Sequence, residues 1–332
     1  MIKINRDFNQ LAEEHKKNLK SAYTIEKNIT DKVASESGKL KYFYKFLQVK
    51  LDLILTANTS QIRDIITRAN VILGESFFTE REKDFNNRDV LKNRVKINEL
   101  KSIFNYDLFI VYKKEKYCAY HLTEKLKINV CPYCNRQYTT TLRPTDYKGG
   151  TRPTLDHFYL KSEYPYLALS FYNLVPSCYS CNSQFRTTRK IGLHPYEQGF
   201  EKLLHFYTNN INSVDDFLGN TRQNVTIKLS KYKKQITNKS DIKNALLNSK
   251  VFRLEDLYNK NHQDDVRELI KRAIMYNDSC SKGYFKEFEK YKLFDSEKDA
   301  RRTMLGNYTD INDLEKRPLA KLTKDICEEL GI

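Results

Sequence analysis

Apolar positions recur with helical spacing along the first third of the chain. Phe8, Leu11, His15 and Leu19 fall three or four residues apart. So do Phe43, Phe46, Leu47, Lys50 and Ile54, with Leu51 and Leu55 widening the stripe. Ile62, Ile65, Ile66 and Ala69 make a third stripe, for which Ser60 reads as the N-cap and Gly74 as the stop. That period belongs to helices with one buried face, started and ended by residues of those types. Residues 75–103 are too charged to show a period and read as a helical or loop connection. Residues 106–113, "YDLFIVYK", are a short apolar run that fits a strand or a buried helix equally.

The pattern then changes. Six of the seven prolines lie between Pro132 and Pro195, and proline removes a backbone donor and fixes φ. The middle of the chain is therefore expected to hold turns and short β-like pieces. Farther on, Val225, Ile227 and Leu229 alternate as in a strand. Val266, Leu269, Ile270, Ala273 and Ile274 share one helical face, and "GYFKEFEKYKLF" follows the same rule with aromatics. Stripes of this kind are core-facing far more often than cofactor-binding. No repeat or low-complexity tract is visible. The expected fold class is α+β, in three zones: a helical region 1–125, a compact β-containing module 126–200, and a mainly helical region 201–332 with a short strand.

Composition sharpens the choice of partner. The chain has 58 basic and 42 acidic side chains, a net charge of +16. Such an excess points to a polyanion, with nucleic acid ahead of a membrane surface, although a Lys-rich genome would produce part of it. The polar N-terminus lacks an apolar leader core, and no apolar run is long enough to span a bilayer, so a cytoplasmic protein is expected. In a reducing compartment the seven cysteines are expected as metal ligands or free thiols.

Four of those cysteines form two Cys-x-x-Cys pairs, Cys131/Cys134 in "CPYC" and Cys178/Cys181 in "CYSC". Two such turns supply four thiolates, the set that zinc takes at structural positions, and a fully Cys-ligated ion has no open position for chemistry. Cys118, Cys280 and Cys327 are isolated and expected to be ordinary thiols. Between the pairs stand Asp156-His157 and Asn173, and Asn182 follows the last cysteine. Asp is a hard oxygen donor suited to Mg²⁺ or Mn²⁺. His is the usual base for a water proton near neutral pH. The amide oxygen of Asn182 could join Asp156 on one ion. Taken singly each is weak: a lone His or Asn is more often structural, and His121, His194 and His205 are expected to be so.

In this order, Cys-x-x-Cys, Asp-His, Asn, Cys-x-x-Cys-Asn, the segment resembles the HNH endonuclease family, over roughly residues 128–200. The resemblance implies a central ββα-metal module stapled by a four-Cys zinc site. It implies that Asp156 binds a catalytic divalent ion, His157 activates water, Asn173 orients the base, and Asn182 is the second protein ligand. Arg186, Arg189 and Lys190, just past the second pair, could hold phosphates or simply form a solvated face. "LDHFYLKSEYPYLALSFYNLVPSCYSCNS" with "GLHPYEQGF" resembles the PtuB-type HNH subunits of Septu and retron antiphage systems. That likeness implies an ATPase partner of the PtuA, ABC/SMC-like kind. The expectation is a metal-dependent endonuclease acting on DNA, or on RNA. The alternatives are a zinc-stapled nucleic-acid binder that does not cut, and a stand-alone restriction or toxin nuclease.

Overall fold

The computed structural model describes residues 1–208, 225–232, 238–276, 278–289 and 291–331, save the side chains of 273 and 278–281. Packing groups these residues into two units interleaved along the sequence. One is Arg6–Lys127 with Thr140–Pro176, here the N-terminal unit; the other is Met1–Asn5, Ile128–Thr139 and Ser177–Ile332, the C-terminal unit.

In the N-terminal unit the apolar stripes become helices. Helix α1 (Asn9–Ala22) buries Ala12, His15 and Leu19, and α2 (Ile25–Ser35) buries Ile25 and Ile29. Helix α3 (Gly38–Thr56) buries Phe43, Tyr44, Leu47, Leu51, Ile54 and Leu55, a stripe with the helical period. Helix α4 (Thr59–Leu73) starts earlier than Ser60 suggests. Asn58 is its cap, in a reciprocal pair with Gln61, and Ser60 lies inside the first turn. Gly74, at φ 98°, ends it as expected.

The charged connection contains a feature that no apolar pattern announces. Strands β1 (Arg81–Lys83) and β2 (Asp89–Leu91) form an antiparallel hairpin, followed by α5 (Arg94–Ile103). Its turn is held by Asp84, whose carboxylate accepts from the backbone N–H groups of Asn86 and Arg88. The ambiguous apolar run is helical over Tyr106–Ile110 (α6), where the Asn105 side chain accepts from the Leu108 N–H. Helix α7 (Ala119–Leu126) follows, and strand β3 (Thr154–His157) pairs with β4 (Leu174–Ser177).

The C-terminal unit is built around strands β5 (Leu204–Thr208) and β6 (Ile227–Lys231), antiparallel with Leu204 opposite Lys231 and Thr208 opposite Ile227. The expected alternation around Ile227 and Leu229 thus forms a strand. Helices α8 (Lys239–Val251), α9 (Leu254–Asn261), α10 (Gln263–Met275), α11 (Asp278–Glu289), α12 (Glu297–Leu305) and α13 (Ala320–Glu329) follow. The core joins Phe206, Ile227, Tyr258, Val266, Ile270, Leu322 and Ile326. Val266, Leu269 and Ile270 are buried on α10 as expected; the side chain of Ala273 lies outside the described residues. The first residues of the chain also pack here: Ile2 N–H donates to Pro132 O and Ile4 N–H to Pro195 O, both at 2.8 Å. The described chain is mixed helix and small two-stranded sheets, and none of its helices is long and apolar enough to cross a membrane.

Candidate metal centre and acid–base residues

Both Cys-x-x-Cys turns belong to the C-terminal unit, and the fold brings them together. The ligand atoms of Cys131, Cys134, Cys178 and Cys181 lie within 4.8 Å of one another, and all four residues are buried. Two thiolates bound tetrahedrally to one Zn²⁺ at ~2.3 Å sit ~3.8 Å apart; Cys134 and Cys178 Sγ are 3.9 Å apart. The Cys181 N–H points at Cys178 Sγ at 3.5 Å, the amide-to-sulfur contact that softens a thiolate's charge. Burial pushes the Cys131 thiol well up, and hydrogen bonding with Cys131 and the other cluster thiols pushes Cys181 up. The same neighbours, Cys131 first, hold Cys134 well below the usual thiol range. The donor set, its burial and its spacing fit a metal ion such as zinc. Of the other cysteines, Cys118 and Cys327 are buried free thiols, and the side chain of Cys280 lies outside the described residues.

The first turn is locked into the surrounding unit by groups that the sequence does not single out. Tyr133, between the two cysteines, stacks on Phe252 with ring centroids 4.4 Å apart. Tyr258 Oη donates to Cys134 O at 2.7 Å. Asn135 has a positive φ of 51°, a conformation Asn tolerates better than most residues. Its side chain accepts from Lys321 N–H and donates to Leu314 O, each at 2.9 Å. A signal is present: both pairs read Cys-x-x-Cys-Asn, so Asn135 and Asn182 occupy matching positions.

Asp156, His157 and Asn173 are all in the N-terminal unit. Asp156 and His157 end strand β3 and are buried, at 3% and 7% exposure. His157 Nε2 lies 3.0 Å from Ala168 O. A carbonyl only accepts, so Nε2 carries the proton and the lone pair of the neutral ring is at Nδ1. The Tyr106 ring meets the imidazole edge-on at 4.4 Å, and its hydroxyl donates to Leu155 O at 3.1 Å. Burial pushes the Tyr106 phenol up, so this hydroxyl stays a donor. Sequence reasoning misses both Tyr106 and the Ala168 carbonyl: one lies far off along the chain, the other is backbone.

Asn173 is fully buried and works as a clasp. Its Oδ1 accepts from Tyr159 N–H at 2.7 Å, while Nδ2 donates to Tyr159 O and Leu167 O, both at 3.0 Å. Its backbone carbonyl accepts from Phe158 N–H at 3.0 Å. These bonds fix the residues directly after His157 and the turn that supplies Ala168.

Asn182 belongs to the C-terminal unit, so the ligand pair expected from the sequence is divided between the two units. It sits on a π-helical segment, Ser180–Arg186, in which Thr187 N–H reaches back five residues to Asn182 O. Among the three basic residues, Arg189 and Lys190 are exposed, whereas Arg186 is 1% exposed and thereby leaves the solvent-facing set. Arg189 folds onto the end of its own segment, donating to Phe185 O at 2.6 Å. His194 is buried, and His121 and His205 are half-buried, both held below the ordinary imidazole value chiefly by burial. Comparison with protein-family models, curated proteins and solved structures gave no match.

Proposed function

We propose that this chain is a metal-dependent endonuclease of the HNH kind, hydrolysing phosphodiester bonds in nucleic acid, with DNA ahead of RNA. The observation that carries the reading is the setting of His157. It ends a strand beside a carboxylate, its Nε2 proton is tied to a carbonyl, and an asparagine clasp fixes the turn around it. The buried Asp156 beside it sets a hard oxygen donor next to a potential proton acceptor.

The chemistry follows from those groups. Hydrolysis forms a bond from water oxygen to phosphorus and breaks the bond from phosphorus to the leaving oxygen. His157 Nδ1 takes the proton of the attacking water, and the imidazolium so formed keeps its Nε2–H bond to Ala168 O. Tyr106 and Asn173 hold the ring and its turn, so little reorganisation accompanies the transfer. A divalent ion such as Mg²⁺ or Mn²⁺, when held by Asp156, supplies positive charge for the phosphate oxygens. Asn182 enters this reading from the sequence alone. The four-Cys cluster, with zinc as its ion, has a structural role.

The sequence resemblance extends the proposal to a nuclease subunit of a bacterial antiphage complex with a PtuA-like ATPase; co-purification with the product of a neighbouring ATPase gene would support that. The core test is His157→Ala, assayed on plasmid and on RNA in Mg²⁺ or Mn²⁺. Cleavage should fall about 100-fold or more, with bound zinc and melting temperature unchanged. Undiminished cleavage overturns the assignment of the base. A wild-type protein that binds nucleic acid without cutting it would instead favour the zinc-stapled binder.

A further inference from the structure

The end of the π-helical segment faces the corner between α8 and α9 across an open groove, entirely within the C-terminal unit. Phe185, Arg189 and Lys190 line one side, and Lys250 and Arg253 the other. The groove continues past Phe185 and Arg253 along α9 to Lys260. Leu247, Val251 and Leu257 add apolar surface between the charges. Among the described residues that line it, Asp256 is the one acid, and it is paired with Arg253 at 2.8 Å. Arg189, Lys190, Lys250, Arg253 and Lys260 are exposed.

The two sides are held at a fixed spacing. Asn248 of α8 is fully buried. Its Oδ1 accepts from Gly192 N–H at 2.7 Å and its Nδ2 donates to Leu193 O at 3.0 Å, which ties α8 to the chain leaving the π-helical segment. Gly192 is required for this approach, since a Cβ there would lie 2.4 Å from Asn244 Oδ1. At the corner itself Phe252 stacks on Tyr133 of the first cysteine turn. The cysteine cluster therefore supports both sides, one through Cys181 and the other through Tyr133.

We infer that this groove binds single-stranded nucleic acid, its cations on the phosphates and Phe185 with the apolar surface against base faces. Cations spaced along an apolar, partly aromatic channel match a strand whose bases are unstacked and available. A duplex turns its base faces inward and offers such a channel only its backbone. The inference deepens the nuclease reading and takes its partner class from it, and it adds α8 and α9, outside the segment that resembles a nuclease, as the second side of the strand's groove.

The test reads binding rather than cleavage. In the His157→Ala background, fluorescence anisotropy follows a short labelled oligothymidylate, the matching oligouridylate and a duplex of equal length over a range of salt. The single strands should bind more tightly than the duplex. Lys250→Ala with Lys260→Ala, both at exposed positions, should weaken single-strand binding and lower the salt slope by about 0.7 for each phosphate no longer neutralised. Phe185→Leu should weaken it about tenfold with little change in slope, at unchanged zinc content and melting temperature. Equal or tighter duplex binding, or an unaltered affinity in the lysine double variant, overturns the inference, as does displacement by polyglutamate as effective as displacement by unlabelled strand. If His157→Ala still cuts, the assignment of the base falls, and binding measured without a divalent ion still decides this inference.

Discussion

At the core of the N-terminal unit, His15 has both ring nitrogens engaged. Nε2 donates to Leu169 O at 2.9 Å, so Nδ1, 2.8 Å from Tyr117 Oη, accepts from that hydroxyl. Burial pushes its pKa from 6.5 down to about 4, with the Leu169 bond pulling weakly the other way. Between those two values the unfolded chain binds a proton that the folded chain refuses. His15 therefore contributes its full stability above about pH 6.5, loses it as pH falls toward about 4, and changes nothing below. The expected loss is about 3 kcal/mol, to order of magnitude. Urea unfolding at pH 7 and pH 5 should show a smaller drop for His15→Gln than for the wild type; equal drops would refute the assignment. Asn173 gives a second test at this scale. Asn173→Ala removes the hydrogen bonds to Tyr159 N–H, Tyr159 O and Leu167 O, at about 1 kcal/mol for each. On the proposed nuclease reading, cleavage should fall with stability in that variant, while the metal content of the cysteine cluster stays constant. If cleavage falls and thermal stability does not, the clasp acts on the chemistry by some route other than holding the turn.

Elements are legible where burial is one-sided. The stripes on α1, α3 and α10 can be read because each face meets a core, and the period of the buried side chains is the period of the helix. The hairpin of β1 and β2 cannot: Arg81, Glu82 and Lys83 are all exposed, so its pairing leaves no apolar alternation. What marks it is local, the Asp84 carboxylate on two backbone donors. The α4 boundary fails for a related reason. Ser60 and Asn58 are both capping residue types, and only Gln61, three residues past Asn58, distinguishes them by completing the reciprocal pair. Asn58→Ala should accordingly lower stability by about 1 kcal/mol, while Ser60→Ala should be close to neutral. A chemical-denaturation series on the two variants decides between the caps.

For the whole molecule, the cluster of four cysteines is the part of the site most readable from sequence, because a metal needs the same donors at the same short spacing whatever surrounds them. The surroundings of His157 are not readable in that way, since Tyr106 and the Ala168 carbonyl reach it through the fold. Nor is the interleaving of the units, in which residues 128–139 leave the N-terminal unit and 140–176 return to it. That interleaving makes an unusual prediction about metal loss. The cysteine turns meet the rest of the C-terminal unit through Tyr133 on Phe252, Tyr258 on Cys134 O and Asn135 on the start of α13. The buried pair Lys321–Asp325 then carries the connection to β5, where Asp325 accepts from Phe206 N–H at 2.8 Å. Removing an ion held by these residues would leave four crowded buried thiols without a common partner, and the free energy of binding such an ion would count toward folding. Chelation, or Cys131→Ser, should therefore raise amide hydrogen exchange in three stretches distant in sequence: residues 1–5, 128–139 and the strands and helices after 177. Helices α1 to α4, which contain none of the four ligands, should keep their protection. Exchange rising instead evenly along residues 126–200 would mean that the metal stabilises a contiguous module, and that the cluster does not organise the C-terminal unit as its contacts indicate.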